Sequence, residues 1–288
     1  MLAREARKLA AKVGRDAGWV RDRSRAIGRR VRAMTRTLGR RTGQRKQQVL
    51  KLTEQAGKLV ARSITEAKRL VVVARRRARG RGASVKLRQI GRLEQFIDRA
   101  QRVSEQIQMR MRGEPISDRL VSIFDPDARP IRKGKLGTPN EFGYVTQICE
   151  ATENTKRGAR GLILPATSQT GNPHEDTLLP QTVRELDRFG LRPREVALDG
   201  GFKPGPTRRT LENLDPERTF IAGSQQPGSR RTQRRLARYR TGTEGRLSHL
   251  KRGHGLRRSR LKDHHGQQTW TGWAILTYNL DTLAVRAG

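Results

Sequence analysis

The sequence is poor in acidic residues, in aromatic residues and in cysteine. Asp and Glu number 27 against 63 Lys and Arg, so the 288-residue chain carries a formal net charge of +36 at pH 7. An excess of this size draws a protein to polyanions, and the expected partner is nucleic acid or an anionic membrane surface. Because Cys149 is the only cysteine, an intrachain disulfide is excluded and a thiolate metal site is not expected.

The sequence also lacks a long apolar run. The longest, LVVVA at 70–74, has arginine close by on both sides, whereas a membrane-spanning helix needs about 18 uninterrupted apolar residues. The opening MLAREARKLAAKVGR has no uncharged apolar region of the kind that a signal peptide contains. We therefore expect no membrane partner and a protein that stays inside the cell, which leaves nucleic acid as the favoured polyanion.

The sequence pattern of residues 1–115 predicts a basic all-α region. There is no proline up to Arg112, and apolar residues recur at helical intervals, as in the stripe Leu52, Ala56, Leu59, Ile64, Ala67 and Leu70. Glycines at 39–43 and in GRGRGAS, which ends at 84, predict breaks, with a third helix over 85–111. The many bases favour contact with DNA phosphates, and the alternative is a solvated helix face.

From residue 116 to residue 288 the pattern predicts an α/β domain. The expected elements, in order, are a strand at 120–124, a basic loop from 131, antiparallel strands at 142–151 and 161–169, a helix at 177–188, a strand ending at Asp199, a helix at 207–214, a strand at 218–223, a basic linker at 224–240, a helix that carries Glu244, and a last apolar helix at 270–284.

Two acids stand out in this domain. The apolar run 196–198 ends in Asp199 and two glycines, which is typical of a buried strand that delivers a carboxylate to its C-terminal edge. On a helix, Arg240, Glu244 and Lys251 lie along one side. The two carboxylates can thus converge on a divalent metal. The alternatives are a turn cap for Asp199 and a solvated, weakly paired face for Glu244.

These residues resemble the catalytic motifs of DDE transposases from bacterial insertion sequences. Arg240, Glu244 and Lys251 match the spacing of the Y-(2)-R-(3)-E-(6)-K pattern around that family's last acid. LDGGF at 198–202 resembles the motif around its second acid. The tyrosine of the pattern is expected at Ala237, and this chain has Tyr239 two residues later.

The similarity continues through 124–148 and 270–284 and implies a fold, an activity and a cofactor. The expected fold is a ribonuclease-H-like mixed sheet over 116–288, with 1–115 resembling the family's helical insertion. The expected activity is DNA cleavage and strand transfer that depends on Mg²⁺ or Mn²⁺, with Asp199 and Glu244 as catalytic metal ligands. The family's first acid lies on a strand that would precede residue 2. Asp125 is the nearest substitute, or else forms a turn, so we expect a truncated and impaired transposase.

The resemblance also implies the partners of the chain. Duplex DNA, at the element's ends and at the target, would contact the cations Arg240, Lys251, Arg230, Arg231, Arg234 and Arg235. A homodimer is left open, and the expected location is the bacterial cytoplasm, on the nucleoid. Two alternatives remain: a catalytically inactive DNA-binding remnant, and a basic nucleoid- or ribosome-associated protein without an active site, in which Asp199 and Glu244 would lie far apart.

Other residues have simpler interpretations. His249, His254, His264 and His265 follow the Glu244 helix closely, yet their spacings match no zinc pattern, so DNA-backbone contact or plain surface is expected. Trp270 and Trp273 are three residues apart on the last helix, a spacing that favours core packing over base stacking.

Overall fold

The computed structural model describes residues 1–37, 43–135, 138–153, 160–224 and 228–287. The chain is a mixed α/β protein, and it divides into two compact units, Met1–Pro126 and Asp127–Gly288. The predicted break at 39–43 lies mostly outside the described residues.

The first unit is all-helical. Its helices are α1 (Leu2–Lys12), α2 (Ser24–Thr37), α3 (Gly43–Arg77) and α4 (Ala83–Arg112). The third helix predicted at 85–111 is therefore confirmed, as α4. It ends where Gly113 adopts a φ of 78°, a left-handed conformation that favours glycine, and where the Glu114 amide donates to the Met109 carbonyl over 2.9 Å.

The core of this unit lies between α1, α3 and α4. Leu9, Leu70 and Leu93 have no exposed surface and represent the three helices there. Helices α3 and α4 approach closely at Gly57, where an added Cβ would lie 2.9 Å from the Ile107 side chain. The apolar stripe of α3 that the sequence predicts supplies much of this core, because its spacing puts those residues on one helix face.

Residues 116–126 belong with the helices. Arg102 bonds the Asp118 carboxylate over 2.5 Å, and Arg99 donates to the Ile123 carbonyl over 2.9 Å, so both side chains tie the segment to α4. The strand predicted at 120–124 is wrong, since this stretch pairs with no strand among the described residues. The unit boundary consequently follows Pro126 and not residue 115.

The described residues of the second unit form three small sheets. The first is antiparallel, in the order β1 (Arg129–Lys135), β2 (Thr138–Gln147), β5 (Thr167–Thr170); the second pairs β3 (Glu150–Ala151) with β4 (Leu162–Ile163); the third pairs β6 (Glu195–Leu198) with β7 (Arg218–Ile221) in parallel. The predicted antiparallel strands at 142–151 and 161–169 are confirmed as β2 to β5. The stretch from 131, predicted as a loop, is part of β1.

Four helices complete this unit: α5 (Leu179–Arg188), α6 (Pro204–Leu211), α7 (Arg230–Gly253) and α8 (Asp263–Ala287). The basic linker predicted at 224–240 is wrong from Arg230 onward. Ser229 caps α7 by accepting from the Thr232 amide over 3.3 Å, and Leu236 is buried. A helix this rich in arginine shows little apolar periodicity. The sequence pattern therefore did not predict that Leu236 is buried.

Two apolar clusters hold the second unit together. In one cluster, Leu186 of α5, Leu211 of α6 and Ile221 of β7 pack together. In the other, Tyr278 of α8 packs with Leu250 of α7. Because α8 buries its other face, Trp273 is 55% exposed, and the prediction that it packs into the core is wrong.

Over the described residues, none of the helices combines the length and the apolar character needed to cross a bilayer.

Candidate functional site

Asp199 follows the last residue of β6, at the carboxyl end of the parallel β6–β7 pair. Its own Oδ1 accepts from the Gly200 amide over 2.8 Å, while 61% of the side chain is exposed. Gly200 lies so close to β7 that an added Cβ would be 3.1 Å from the Ala222 carbonyl oxygen. The strand and its glycine turn thus present a carboxylate to solvent at a sheet edge, as the sequence predicts.

The turn after Asp199 is fixed by the segment that precedes α5. A Cβ on Gly201 would lie 2.2 Å from Oε2 of Glu175, so a larger residue there would require this carboxylate to move. The next residue of that segment, Asp176, accepts from the Lys203 amide over 3.0 Å. The hydrogen bond of Asp176 holds the backbone just after the DGG sequence, and the absence of a side chain at Gly201 leaves room for the Glu175 carboxylate.

Helix α7 is anchored on its inner face by Glu150 of β3, whose side chain is 1% exposed. Thr243 donates to Glu150 Oε2 over 2.7 Å, Arg246 donates to Oε1 over 3.0 Å, and the Tyr239 hydroxyl donates to the Glu150 carbonyl over 3.2 Å. Burial, together with the Glu150 charge, raises the pKa of Tyr239 and keeps it a hydrogen-bond donor. This anchor fixes the rotation of α7 about its axis.

Sequence reasoning missed Glu150. The available signal was the spacing of Tyr239, Thr243 and Arg246, which puts three hydrogen-bonding side chains on the face of α7 opposite to Glu244. Their common partner lies on a strand about ninety residues earlier, and a pattern within one helix does not identify a distant partner.

The outer face of α7 brings the two predicted acids together. The Nη1 atom of Arg240 donates to Asp199 Oδ1 over 3.1 Å and to Glu244 Oε1 over 2.7 Å. The two carboxylate oxygens are therefore no farther apart than the sum of these distances. Arg240 is 22% exposed, whereas Glu244 is 59% exposed. One half-buried guanidinium thus links two carboxylates that face solvent.

The predicted DNA-binding cations of α7 fall into two groups. Arg235 forms a two-pronged ion pair with Glu195 of β6, which raises the pKa of the arginine and directs its charge into the unit. Arg240 is likewise paired, with Asp199 and Glu244. The other four, Arg230, Arg231, Arg234 and Lys251, are exposed. Their charges are directed to solvent and available to a polyanion.

A cationic cavity of about 520 Å³ lies in the connection between α7 and α8. Its lining consists of Gly255, Arg257, Arg258, Ser259, Arg260, Lys262 and Trp270. The Trp270 indole donates to the Gly255 carbonyl over 2.9 Å, which holds the ring at the cavity wall. The cavity extends the basic surface of α7 beyond its C-terminal end.

The third predicted catalytic residue, Asp125, lies in the helical unit and not in the unit of Asp199 and Glu244. Its backbone amide donates to the Ser122 hydroxyl over 3.1 Å, a turn contact next to Pro126. The contact agrees with the turn-forming alternative for Asp125. Within the second unit, the structure brings together Asp199, Glu244 and Arg240.

The chain was compared with protein-family models, with curated proteins and with solved structures. No family model, no curated protein and no solved structure matches the chain.

Proposed function

We propose that the chain is a DNA-binding protein of the DDE transposase type, with an impaired site for metal-dependent cleavage and transfer of phosphodiester bonds. The observation that carries the proposal is the single Arg240 nitrogen shared by Asp199 and Glu244. A strand-end acid and a helix acid that converge in this way supply two carboxylates within the roughly 8 Å that hydrated divalent ions bridge.

The donor set suits Mg²⁺ or Mn²⁺. Both carboxylates are more than half exposed, so Asp199 and Glu244 would hold the ion through hard oxygen ligands with room for waters. When bound, the metal would polarise a phosphate oxygen and favour formation of a nucleophilic hydroxyl.

The chain's own residues account for binding and orientation of DNA. Exposed Arg230, Arg231, Arg234 and Lys251 would contact phosphates, which position a duplex without reading its sequence. Arg240 would exchange a carboxylate partner for a phosphate oxygen when DNA approaches, because its guanidinium suits both anions. Binding of this kind would place the protein on the bacterial nucleoid, and a homodimer would bring two element ends together.

A ribonuclease-H-like fold is part of the proposal. Two features support it: the parallel β6–β7 pair with an acid directly after β6, and the helix α7 that brings a second acid to the same edge. The antiparallel strands β1, β2 and β5 form a sheet of their own, so the proposed fold would require this sheet to join the β6–β7 pair.

The inactive DNA-binding remnant is the second candidate, and a specific observation favours it. The Arg240 guanidinium lies between the two acids and competes with a metal for the same oxygens. Moreover, in the part of the chain that the structure describes, the cluster of three or more metal-ligand side chains lies elsewhere. The nucleoid- or ribosome-associated protein without a site is disfavoured, because it predicts well-separated carboxylates.

Nicking of supercoiled plasmid in Mg²⁺ or Mn²⁺ tests the proposal. We expect weak, metal-dependent nicking by the full chain that is lost in Asp199→Asn and in Glu244→Gln. The matched control is Glu212→Gln, which changes an exposed acid of the same unit. Asp125→Asn should leave nicking unchanged, and its loss would make Asp125 a ligand after all. DNA binding without nicking in wild type would establish the remnant.

A further inference from the structure

Side chains from the end of α7 and from α8 meet at the C-terminal end of α7. They are His249 of α7, His254 directly after α7, and Asp281 of α8. One ligand atom from each of the three lies within 4.8 Å of the others. We propose that these residues form a binding site for a first-row transition-metal ion, with Zn²⁺ as the best match.

The chemistry of the donors supports this assignment. Imidazole nitrogen suits zinc, copper, iron and nickel, and two histidines with one carboxylate are a ligand set that leaves positions open for water. In a tetrahedral site with bonds of about 2.0–2.2 Å the ligand atoms lie roughly 3.4 Å apart. The ligand atoms, now within 4.8 Å of one another, must therefore close by up to about 1.4 Å, and the 47% exposed Asp281 side chain has room to rotate inward.

The buried side of the cluster provides a second observation. His254 Nε2 is buried, and it has no hydrogen-bond partner among the described residues. A buried polar nitrogen without a partner costs roughly 1–3 kcal/mol, so an ion that accepts this ligand would remove the penalty. The fully buried Tyr278 packs edge-on against both imidazoles, with ring centres 5.8 and 5.6 Å away, and holds them in place.

A positive charge already lies among these ligands. Arg160 Nη2 is 2.8 Å from His249 Nδ1 and 3.2 Å from Asp281 Oδ2. Its guanidinium stacks over the Tyr278 ring, and the Arg286 side chain donates to its carbonyl oxygen. The cluster thus favours a cation, and Arg160 is the competitor that a metal ion must displace.

The sequence carries only half of the signal for this site. Four residues separate His249 from His254, a spacing within the H-x3–5-H range of zinc sites, but no cysteine pair accompanies it. The third ligand lies on another helix, and the sequence spacing does not point to it. A bound ion would clamp the end of α7 to α8, independently of any metal at Asp199 and Glu244.

Titration of the chelator-treated full chain with Zn²⁺, and with Co²⁺ as a spectroscopic probe, tests the proposal. We expect one equivalent of Co²⁺ to give visible absorption bands that Zn²⁺ abolishes. His249→Ala, His254→Ala and Asp281→Asn should each weaken binding at least tenfold, and Arg160→Gln should tighten it. The exposed His265→Ala serves as control, while Asp199→Asn separates this site from the proposed DNA-processing site.

Two outcomes would overturn the site. One is that neither wild type nor Arg160→Gln takes up either ion. The other is that binding is unchanged in His249→Ala, His254→Ala and Asp281→Asn, which would place the ion on other residues; its loss in His265→Ala would then indicate surface histidines. Circular dichroism shows whether a ligand variant has failed to fold. In that case the titration of Arg160→Gln decides. Tighter metal binding by Arg160→Gln supports the site, whereas a purely structural role of Arg160 predicts that this variant takes up no metal.

Discussion

Arg246 donates from Nε to Oε1 of Glu150 over 3.0 Å, and this ion pair is shielded from solvent, with 21% and 1% of the two side chains exposed. A carboxylate this well buried needs its partners, because an unpaired charge in the interior is strongly destabilising. The pair connects α7 to β3. The position of Glu244 on the outer face of the same helix depends on it.

Glu150→Gln should therefore lower the free energy of unfolding of the second unit by about 3 kcal/mol. Denaturant unfolding followed by tryptophan fluorescence measures this, in a Trp19→Phe background so that only Trp270 and Trp273 report. Glu212→Gln removes the same charge at an exposed position and should change the value by less than about 0.5 kcal/mol. Equal effects of the two substitutions would contradict the anchoring role of Glu150.

Arg240→Gln should tighten Mn²⁺ binding at Asp199 and Glu244, because the guanidinium competes for the same oxygens. An exposed ion pair is worth up to about 1 kcal/mol, so the expected gain is about fivefold. Mn²⁺ titration followed by electron paramagnetic resonance measures it. Arg238→Gln, at an exposed position of α7, is the control for loss of charge alone. Weaker binding in Arg240→Gln would show that the arginine organises the acids for the metal.

The chain should bind duplex DNA with little sequence preference and a steep dependence on salt. Replacing Arg230, Arg231 and Arg234 by Gln should lower the log–log salt slope by up to about 0.9 for each phosphate contact that is lost. Arg235→Gln should leave the slope unchanged and lower stability instead, since its charge is paired with Glu195. Fluorescence anisotropy between about 50 and 200 mM salt measures the slope. A slope that falls with Arg235→Gln alone would contradict this division.

Cys149 should react slowly with alkylating reagents in the folded chain. Burial first, and the nearby Glu150 charge second, raise the pKa of its thiol from 9.0 to about 11. Below pH 9 the thiol is protonated in both states. Between pH 9 and 11 the unfolded chain loses this proton first, so the free energy of unfolding falls as pH rises. Iodoacetamide labelling at pH 8, with and without denaturant, checks the first expectation, and Cys149→Ser should remove this part of the alkaline loss.

Gly161→Ala and Gly245→Ala should act in opposite directions. A Cβ on Gly161 would lie 2.5 Å from the Ala151 carbonyl oxygen, so the β3–β4 pair must shift and the second unit loses stability. Gly245 lies inside α7 with open space around it, and alanine there should add up to about 1 kcal/mol. Thermal melting of both variants provides the comparison, and a stabilising Gly161→Ala would show that the hairpin tolerates the side chain.

The sequence by itself determined what depends on local pattern and total charge. The helices α3 and α4, the strand that ends before Asp199 and the helix around Glu244 follow from apolar periodicity and from glycine positions. The expectation of a polyanionic partner follows from the net charge. Local signals failed at 120–124, an apolar run that lies beside α4 and pairs with no strand in the part of the chain that the structure describes. They also failed at 230–240, where the arginines obscure a helix.

Only the tertiary structure decided which side chains meet. Arg240 bonds both Asp199 and Glu244, Glu150 holds α7 from the other face, and His249 and Asp281 meet across a helix end. The Arg240–Glu244 pair lies within α7, and the other contacts join segments that are distant in the chain. Hydrogen bonds and ion pairs depend on positions to within about 1 Å, whereas periodicity specifies only the face of a helix or strand. The partners are therefore chosen by the packing of α7 and α8 on the sheets.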